Sequence, residues 1–298
     1  MQQPPFLKKG DKIGIISPAR KVSKEDVQPA VELFNNWGLG VVFGKNLFRQ
    51  DNQFSGTDAE RAEDLQTMLD DASVKAIISA RGGYGTLRII DRIDFSKFKK
   101  HPKWIVGYSD ITVLHSHIHT FGIETLHATM PINFIKHAEA TDTIRKALFG
   151  EKLAYKIESH PLNKILFPAT IQGDVVGGNL SLLYALTGSF SDINTNGKIL
   201  FIEDLDEYLY HIDRMMLSLK RSGKLAHLKA LIVGGMTDMK DNTIPFGKTA
   251  EEIILDTVKE YNYPVVFGFP AGHIDKNFAI YFGKRVRLTL RDKVILSY

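Results

Sequence analysis

The sequence predicts an α/β protein of two domains, with a parallel sheet covered on both faces by helices. Three observations carry that prediction. Short apolar runs alternate with helical patterns through the first half of the chain. Those runs are apolar on both faces, as strands buried on both sides must be. The chain has 298 residues, 44% of them hydrophobic, and a chain of that size favours two cores over one.

The elements follow in order. KIGIIS (12–17) reads as a buried strand ending at Ser17-Pro18. EDVQPAVELFNNWG (25–38) reads as a helix. Its Pro29 belongs near the start, where a missing N–H matters least, so the regular helix is expected to begin only a residue or two before it. GVVFG (40–44) is strand-like. In GTDAERAEDLQTMLDD, Thr57 is a plausible N-cap and Glu60 completes a capping box. Ala62, Leu65, Met68 and Leu69 give that helix its apolar face. VKAIISA (74–80) and KWIVG (103–107) are further buried strands. RGGYG follows the first, and YSDITVLHSHIHTFG follows the second as a helix stopped by Gly122.

Around EKLAYKIESHPLNKILFPA the periodicity weakens and two prolines appear. The domain boundary is expected there, giving domains 1–165 and 166–298. Beyond it, QGDVVGGNLSLLYALTG reads as a turn and then an apolar helix. KILFIED (198–204) is a strand ending in acids, and DEYLYHIDRMMLSLKRSG is a helix stopped by Gly223. LKALIVGG (228–235), YPVVFGFPAGH (263–273), FAIYFG and VRLTL add strands.

Composition narrows the function. The net charge is +4, and the one local lysine cluster, Lys97, Lys99, Lys100 and Lys103, reads as a solvated face. No long basic stripe with interleaved aromatics marks a nucleic-acid groove. Without cysteine there is no disulfide, no thiolate metal site and no cysteine nucleophile. The start of the chain lacks the basic-then-apolar pattern of a secretory signal. No apolar run approaches the roughly 18 residues of a membrane helix. A soluble, cytoplasmic protein with no membrane partner is expected.

In open parallel sheets, ligands bind beyond the carboxyl ends of the strands, and three places there could carry chemistry. The first is RGGYG (81–85). Gly82 and Gly83 can turn backbone N–H groups toward an anion, or they can form an ordinary strand-to-helix turn. The segment matches neither the dinucleotide fingerprint nor the Walker loop. The second is GYSD, where Ser109 is either a helix cap or a nucleophile on an elbow. The elbow pattern fails at its last position, which is Ile111. The third is a pair of possible partners, Glu203 at the end of a buried strand and His273 in a glycine-rich loop. A histidine can take a serine's proton near neutral pH, and a carboxylate can hold the imidazole in the required tautomer. Each residue also has an ordinary reading, as an ion-pair acid and a loop histidine. A competing metal site would use His115, His117 and His119. On a helix the first and last share a face and the middle one points away.

Six ordered segments carry a resemblance. SGTDAERAEDL, IISARGGYGTLRIID, PKWIVGYSDITVLH, GGNLSLLYALTGS, ILFIEDLDEYLYHIDRMM and FGFPAGHI are similar to the successive motifs of the LD-carboxypeptidase family. That family includes murein-tetrapeptide carboxypeptidases and the related microcin C immunity proteins. The similarity covers nearly the whole chain, from KKGDKIGIISPA onward. It implies a flavodoxin-like N-terminal domain with a parallel sheet, carrying the nucleophile, and a smaller C-terminal β-rich α/β domain. It implies a serine peptidase with a triad of Ser109, Glu203 and His273 between the domains, no cofactor, and a homodimer. The implied reaction removes terminal D-alanine from a murein tetrapeptide, a small-peptide substrate. On that mechanism the N–H groups of Asp110 and of Gly82 or Gly83 hold the oxyanion, and Arg81 and Tyr84 bind substrate, the arginine taking the terminal carboxylate. Hydrolysis of a peptidyl-nucleotide antibiotic is the alternative within the family. A metal-dependent hydrolase and a non-catalytic binding module are the alternatives outside it. Two stretches depart from the family pattern. His127-Ala128-Thr129-Met130 stands where His-Gly-Pro-Met is usual, and FGKRV (282–286) replaces a leucine- and proline-rich strand start.

Overall fold

The apolar runs become strands and the periodic segments become helices in the computed structural model, which describes residues 1–165, 168–291 and 293–298. The first part comprises β1 (Lys12–Ile16), α1 (Lys24–Asn36), β2 (Gly40–Phe43), α2 (Asp58–Asp70), β3 (Val74–Ser79), α3 (Thr86–Ile89), α4 (Ser96–Lys100), β4 (Trp104–Gly107), α5 (Thr112–His119), β5 (Thr125–His127) and α6 (Ala138–Leu148). The second comprises β6 (Ala154–Ile157), β7 (Ala169–Asn179), α7 (Leu180–Leu186), β8 (Ile199–Leu205), α8 (Leu209–Arg221), β9 (Ala230–Thr237), α9 (Ala250–Val258), β10 (Val265–Val266), β11 (Ile280–Phe282), β12 (Arg285–Leu290) and β13 (Val294–Ser297).

Two sheets result. The first has the order β11-β5-β4-β3-β1-β2. Strands β1 to β5 are parallel in the flavodoxin-like order, and β11 closes the edge antiparallel to β5. The second has the order β10-β9-β8-β7-β12-β13-β6. It is parallel from β10 to β7 and antiparallel from β7 to β6. The protein is thus a mixed α/β fold with a β-rich second part. Residues 166–167, at the expected domain boundary, lie outside the described residues. Two strands cross that boundary: β6 pairs in the second sheet and β11 in the first.

A shared core joins the sheets. One continuous apolar cluster takes Phe34 of α1, Trp104 and Leu126 of the first sheet, Phe282 of β11, and Phe201, Ile232 and Leu288 of the second sheet. Separate clusters fill the outer faces, under α2 and α5 on one side and under α8 and α9 on the other.

Three sequence readings change. Helix α1 begins at Lys24, well before Pro29, because Ser23 and Asp26 form a complete capping box and reciprocal capping outweighs one lost N–H. The QGDVVGG segment is not a turn but lies within β7, the 11-residue strand. Its glycines permit close packing: a Cβ on Gly177 would lie 1.8 Å from the Phe201 carbonyl oxygen, and glycine inside a strand often marks such an approach. The lysine cluster is not one solvated face. Lys103 is buried and donates to the carbonyls of Met68 (2.8 Å) and Asp71 (2.6 Å) at the end of α2. Burial lowers its pKa to about 8. The capping box of Thr57 and Glu60 forms as read.

Candidate active site

Ser109 lies just past the carboxyl end of β4 in the left-handed region, at φ 61°. A non-glycine residue there is strained by about 1–2 kcal/mol. Its side chain caps no helix. The turn Ser109–Ile111 and α5 both begin without a side-chain cap bond. The hydroxyl instead faces the second sheet, with His273 Nε2 3.0 Å from Ser109 Oγ.

Glu203 is the fifth residue of β8 and is fully buried. The β8–β9 register shifts between Ile202 and Asp204, and such irregularities re-aim side chains. Glu203 Oε2 accepts from His273 twice, at Nδ1 (2.7 Å) and at the backbone N–H (3.2 Å). A carboxylate can only accept, so Nδ1 carries the proton and Nε2 is left to accept from the serine. Burial pushes the His273 pKa down, but the charge and hydrogen bond of Glu203, with Asp204 behind it, outweigh burial and leave it above the ordinary value.

The loop that presents His273 is fixed at several points. Thr237 Oγ1 donates to the His273 carbonyl (2.8 Å). Buried Asn277 accepts from the Gly272 N–H (2.9 Å). The Tyr108 ring lies 4.9 Å from the imidazole, centroid to centroid. Gly272 has φ +106°, and a Cβ there would meet Glu203 Cβ at 2.7 Å and Oε2 at 2.8 Å. Gly272→Ala is therefore expected to displace the carboxylate and lower kcat by about 10²-fold, as small misplacements at a reacting centre do. Steady-state assay of the purified variant checks this.

The backbone of the RGGYG loop approaches the serine directly. A Cβ on Gly82 would lie 3.0 Å from Ser109 Cβ and 3.1 Å from Oγ, with Met130 Cε at 3.3 Å. Met130 belongs to the stretch that departs from the family pattern. The Gly82 and Gly83 N–H groups make no backbone hydrogen bond among the described residues. Arg81 donates to the Lys21 carbonyl (3.2 Å). Tyr84 is exposed and packs on Phe54.

The three helix histidines do not converge. His115 bonds the Gly107 carbonyl (2.9 Å), His117 the Ser191 hydroxyl (2.8 Å) and His119 the Thr125 hydroxyl (3.2 Å). All three are buried, and burial lowers each pKa. Among the described residues no group of three or more His, Asp or Glu is arranged to hold a metal.

Sequence reasoning passed over Asp204. It is buried beside Glu203 and accepts from Asn179 Nδ2 (2.8 Å) and the Ser181 N–H (2.8 Å) at the start of α7. Burial and the neighbouring Glu203 charge raise its pKa to about 7. The second acid of FIED was the available signal. Thr237 and Asn277 left none.

Comparison with known proteins gives a consistent family. The domain described as the LD-carboxypeptidase N-terminal domain matches residues 13–128, and the LD-carboxypeptidase C-terminal domain matches residues 172–288. The chain is 37% identical over 300 residues to a probable murein peptide carboxypeptidase of Bacillus subtilis, covering 98% of this chain and 92% of that protein. The crystal structure of muramoyltetrapeptide carboxypeptidase from Oxalobacter formigenes superposes with TM-score 0.86 at 27% identity, covering 96% of this chain and 98% of the other. An MccF-like protein from Bacillus anthracis superposes with TM-score 0.85 at 25% identity, covering 100% and 99%.

Proposed function

The chain belongs to the LD-carboxypeptidase family, and from that premise we propose a serine carboxypeptidase that releases terminal D-alanine from murein tetrapeptide. The observation that carries the reading is the unbroken line from Ser109 Oγ to His273 Nε2 (3.0 Å) and from His273 Nδ1 to Glu203 (2.7 Å). The murein substrate comes from the names of the relatives in Bacillus and Oxalobacter.

Ser109 Oγ attacks the scissile carbonyl while His273 Nε2 takes its proton. Glu203 holds the imidazole and stabilises the imidazolium. The N–H groups of Asp110 and of Gly82 or Gly83 donate to the developing oxyanion; one such donor is typically worth about 3 kcal/mol. His273 then protonates the departing amine of D-alanine, and water, deprotonated by the same imidazole, releases the peptide from Ser109. Arg81 has donors beyond the one given to Lys21, which suits a terminal carboxylate, and Tyr84 offers an exposed ring beside it. The reading carries with it a cytoplasmic homodimer. Among the described residues no helix is long and apolar enough to cross a membrane.

Incubation with muropeptide tetrapeptide, followed by mass spectrometry, is expected to show loss of one alanine, with and without EDTA. Loss only from a peptidyl-nucleotide offered in parallel would move the protein to the immunity branch. Loss abolished by EDTA would favour metal hydrolysis. The pH profile is a second check. His273 must be neutral to take the serine's proton, so kcat/KM is expected to fall as pH drops through the imidazole pKa. That inflection lies above 6.5, the ordinary value. The same shift stabilises the fold fully below pH 6.5, and the contribution is lost as pH rises through the raised pKa.

A further inference from the structure

The glycine-rich loop and the serine turn are joined through one buried carboxylate. Asp110 follows Ser109 in the chain and is 1% exposed. Its Oδ2 accepts from the Thr86 backbone N–H (2.8 Å) and from the Thr86 hydroxyl (2.6 Å). Thr86 is fully buried and opens α3 directly after Gly85. The other carboxylate oxygen, Oδ1, has no partner among the described residues. The Asp110 side chain is thus committed to this loop.

The loop is gripped from the opposite side as well. Buried Arg61 donates through Nη1 to the Gly85 carbonyl (2.9 Å) and the Pro18 carbonyl (2.5 Å), and Nη2 pairs with Asp58. A Cβ on Gly85 would lie 2.5 Å from that Nη1. At the loop's other end, Ser79 Oγ donates to the Arg81 carbonyl (2.8 Å). Between these anchors Gly82 and Gly83 bring no side chain of their own to fix them. An oxyanion donor must stand about 2.7–3.1 Å from the developing charge, and a pair of adjacent glycines is the most mobile backbone available.

We propose that the Asp110 side chain is a positioning residue that, through Thr86, sets the distance between the Gly82–Gly83 N–H groups and Ser109. One residue then contributes to both halves of the oxyanion site: its own N–H is one donor, and its carboxylate holds the loop that carries the other. The inference rests on the serine-hydrolase reading above and adds a residue to it.

The test is chosen to run without the natural substrate. A fluorophosphonate reports on the same site: Ser109 Oγ bonds to phosphorus, fluoride leaves, and the serine proton passes to His273. The resulting tetrahedral oxygen needs the same donors as the peptide intermediate. Labelling rates are compared for the parent protein, Asp110→Ala, Asp110→Asn and Thr86→Val, each scaled to its folded fraction from thermal melts. Asp110→Ala removes both bonds and is expected to label about 10²-fold more slowly, with kcat on tetrapeptide reduced to match and KM within about threefold. Thr86→Val removes only the hydroxyl bond and is expected to slow labelling about tenfold. Asp110→Asn keeps an acceptor oxygen and is expected to recover to within about tenfold of the parent. Where Asp110→Ala fails to fold, the other two variants decide.

Parental labelling rates in folded Thr86→Val and Asp110→Ala overturn the proposal, and so does a rise in KM at unchanged kcat. A parent protein that labels but leaves tetrapeptide intact removes the murein substrate alone, and the variant rates still decide the role of Asp110. A parent inert to the probe overturns the inference together with the reading beneath it.

Discussion

Ser109→Ala is expected to fold normally and to lose turnover by about 10⁴-fold or more. In the proposed mechanism the hydroxyl is the nucleophile, so its removal leaves just the residual effect of binding and oxyanion donors. The fold should tolerate the change because the side chain caps no helix. The backbone strain at φ 61° is shared by alanine and serine and is absent for glycine. Ser109→Gly should therefore be equally inactive and about 1 kcal/mol more stable. D-Alanine release and urea unfolding of both variants check the two statements. An alanine variant that turns over at near-parental rate would remove Ser109 from the chemistry.

Glu203→Gln is expected to lower kcat by about 10³-fold and to move the acid-side inflection to lower pH. In serine proteases the analogous amide costs about 10⁴-fold through the wrong imidazole tautomer. Here the same Glu203 oxygen also accepts the His273 backbone N–H (3.2 Å). That second donor keeps a glutamine carbonyl, and not its NH₂, against the ring. The tautomer is then preserved and the loss is of charge alone. The Glu203 charge is what lifts the His273 pKa against burial, so without it the inflection falls. A kcat/KM profile measured from pH 4 to 9 reads both effects, and an unmoved inflection would show that Glu203 does not raise the His273 pKa.

The strands, the parallel core and the three members of the line were legible because each carries a local signal. Ser109 sits at a strand-to-helix junction, Glu203 ends a run of buried apolar residues, and Gly272 precedes His273. No spacing rule links positions 109, 203 and 273. The ordered motifs of the family made that link, and the 2.7 and 3.0 Å contacts are what the fold adds. Other features depend on contacts that no local pattern encodes. Lys103 is buried because two carbonyls at the end of α2 happen to meet it. The grip of Asp110 on Thr86 spans 24 positions. QGDVVGG reads as a turn by composition, yet its glycines serve strand-to-strand proximity in β7.

β11 pairs with β5 in the first sheet, although the strands on either side of it in sequence belong to the second. Ribosomal synthesis runs from the amino end, so β5 waits with an unprotected border until Ile280–Phe282 emerges. A nascent chain shorter than this presents Ser109 on an unfinished sheet, although Glu203, Thr237 and Asn277, which hold the His273 loop, have already been made. The interval before Phe282 is made is thus one in which that border is open to pairing with another strand.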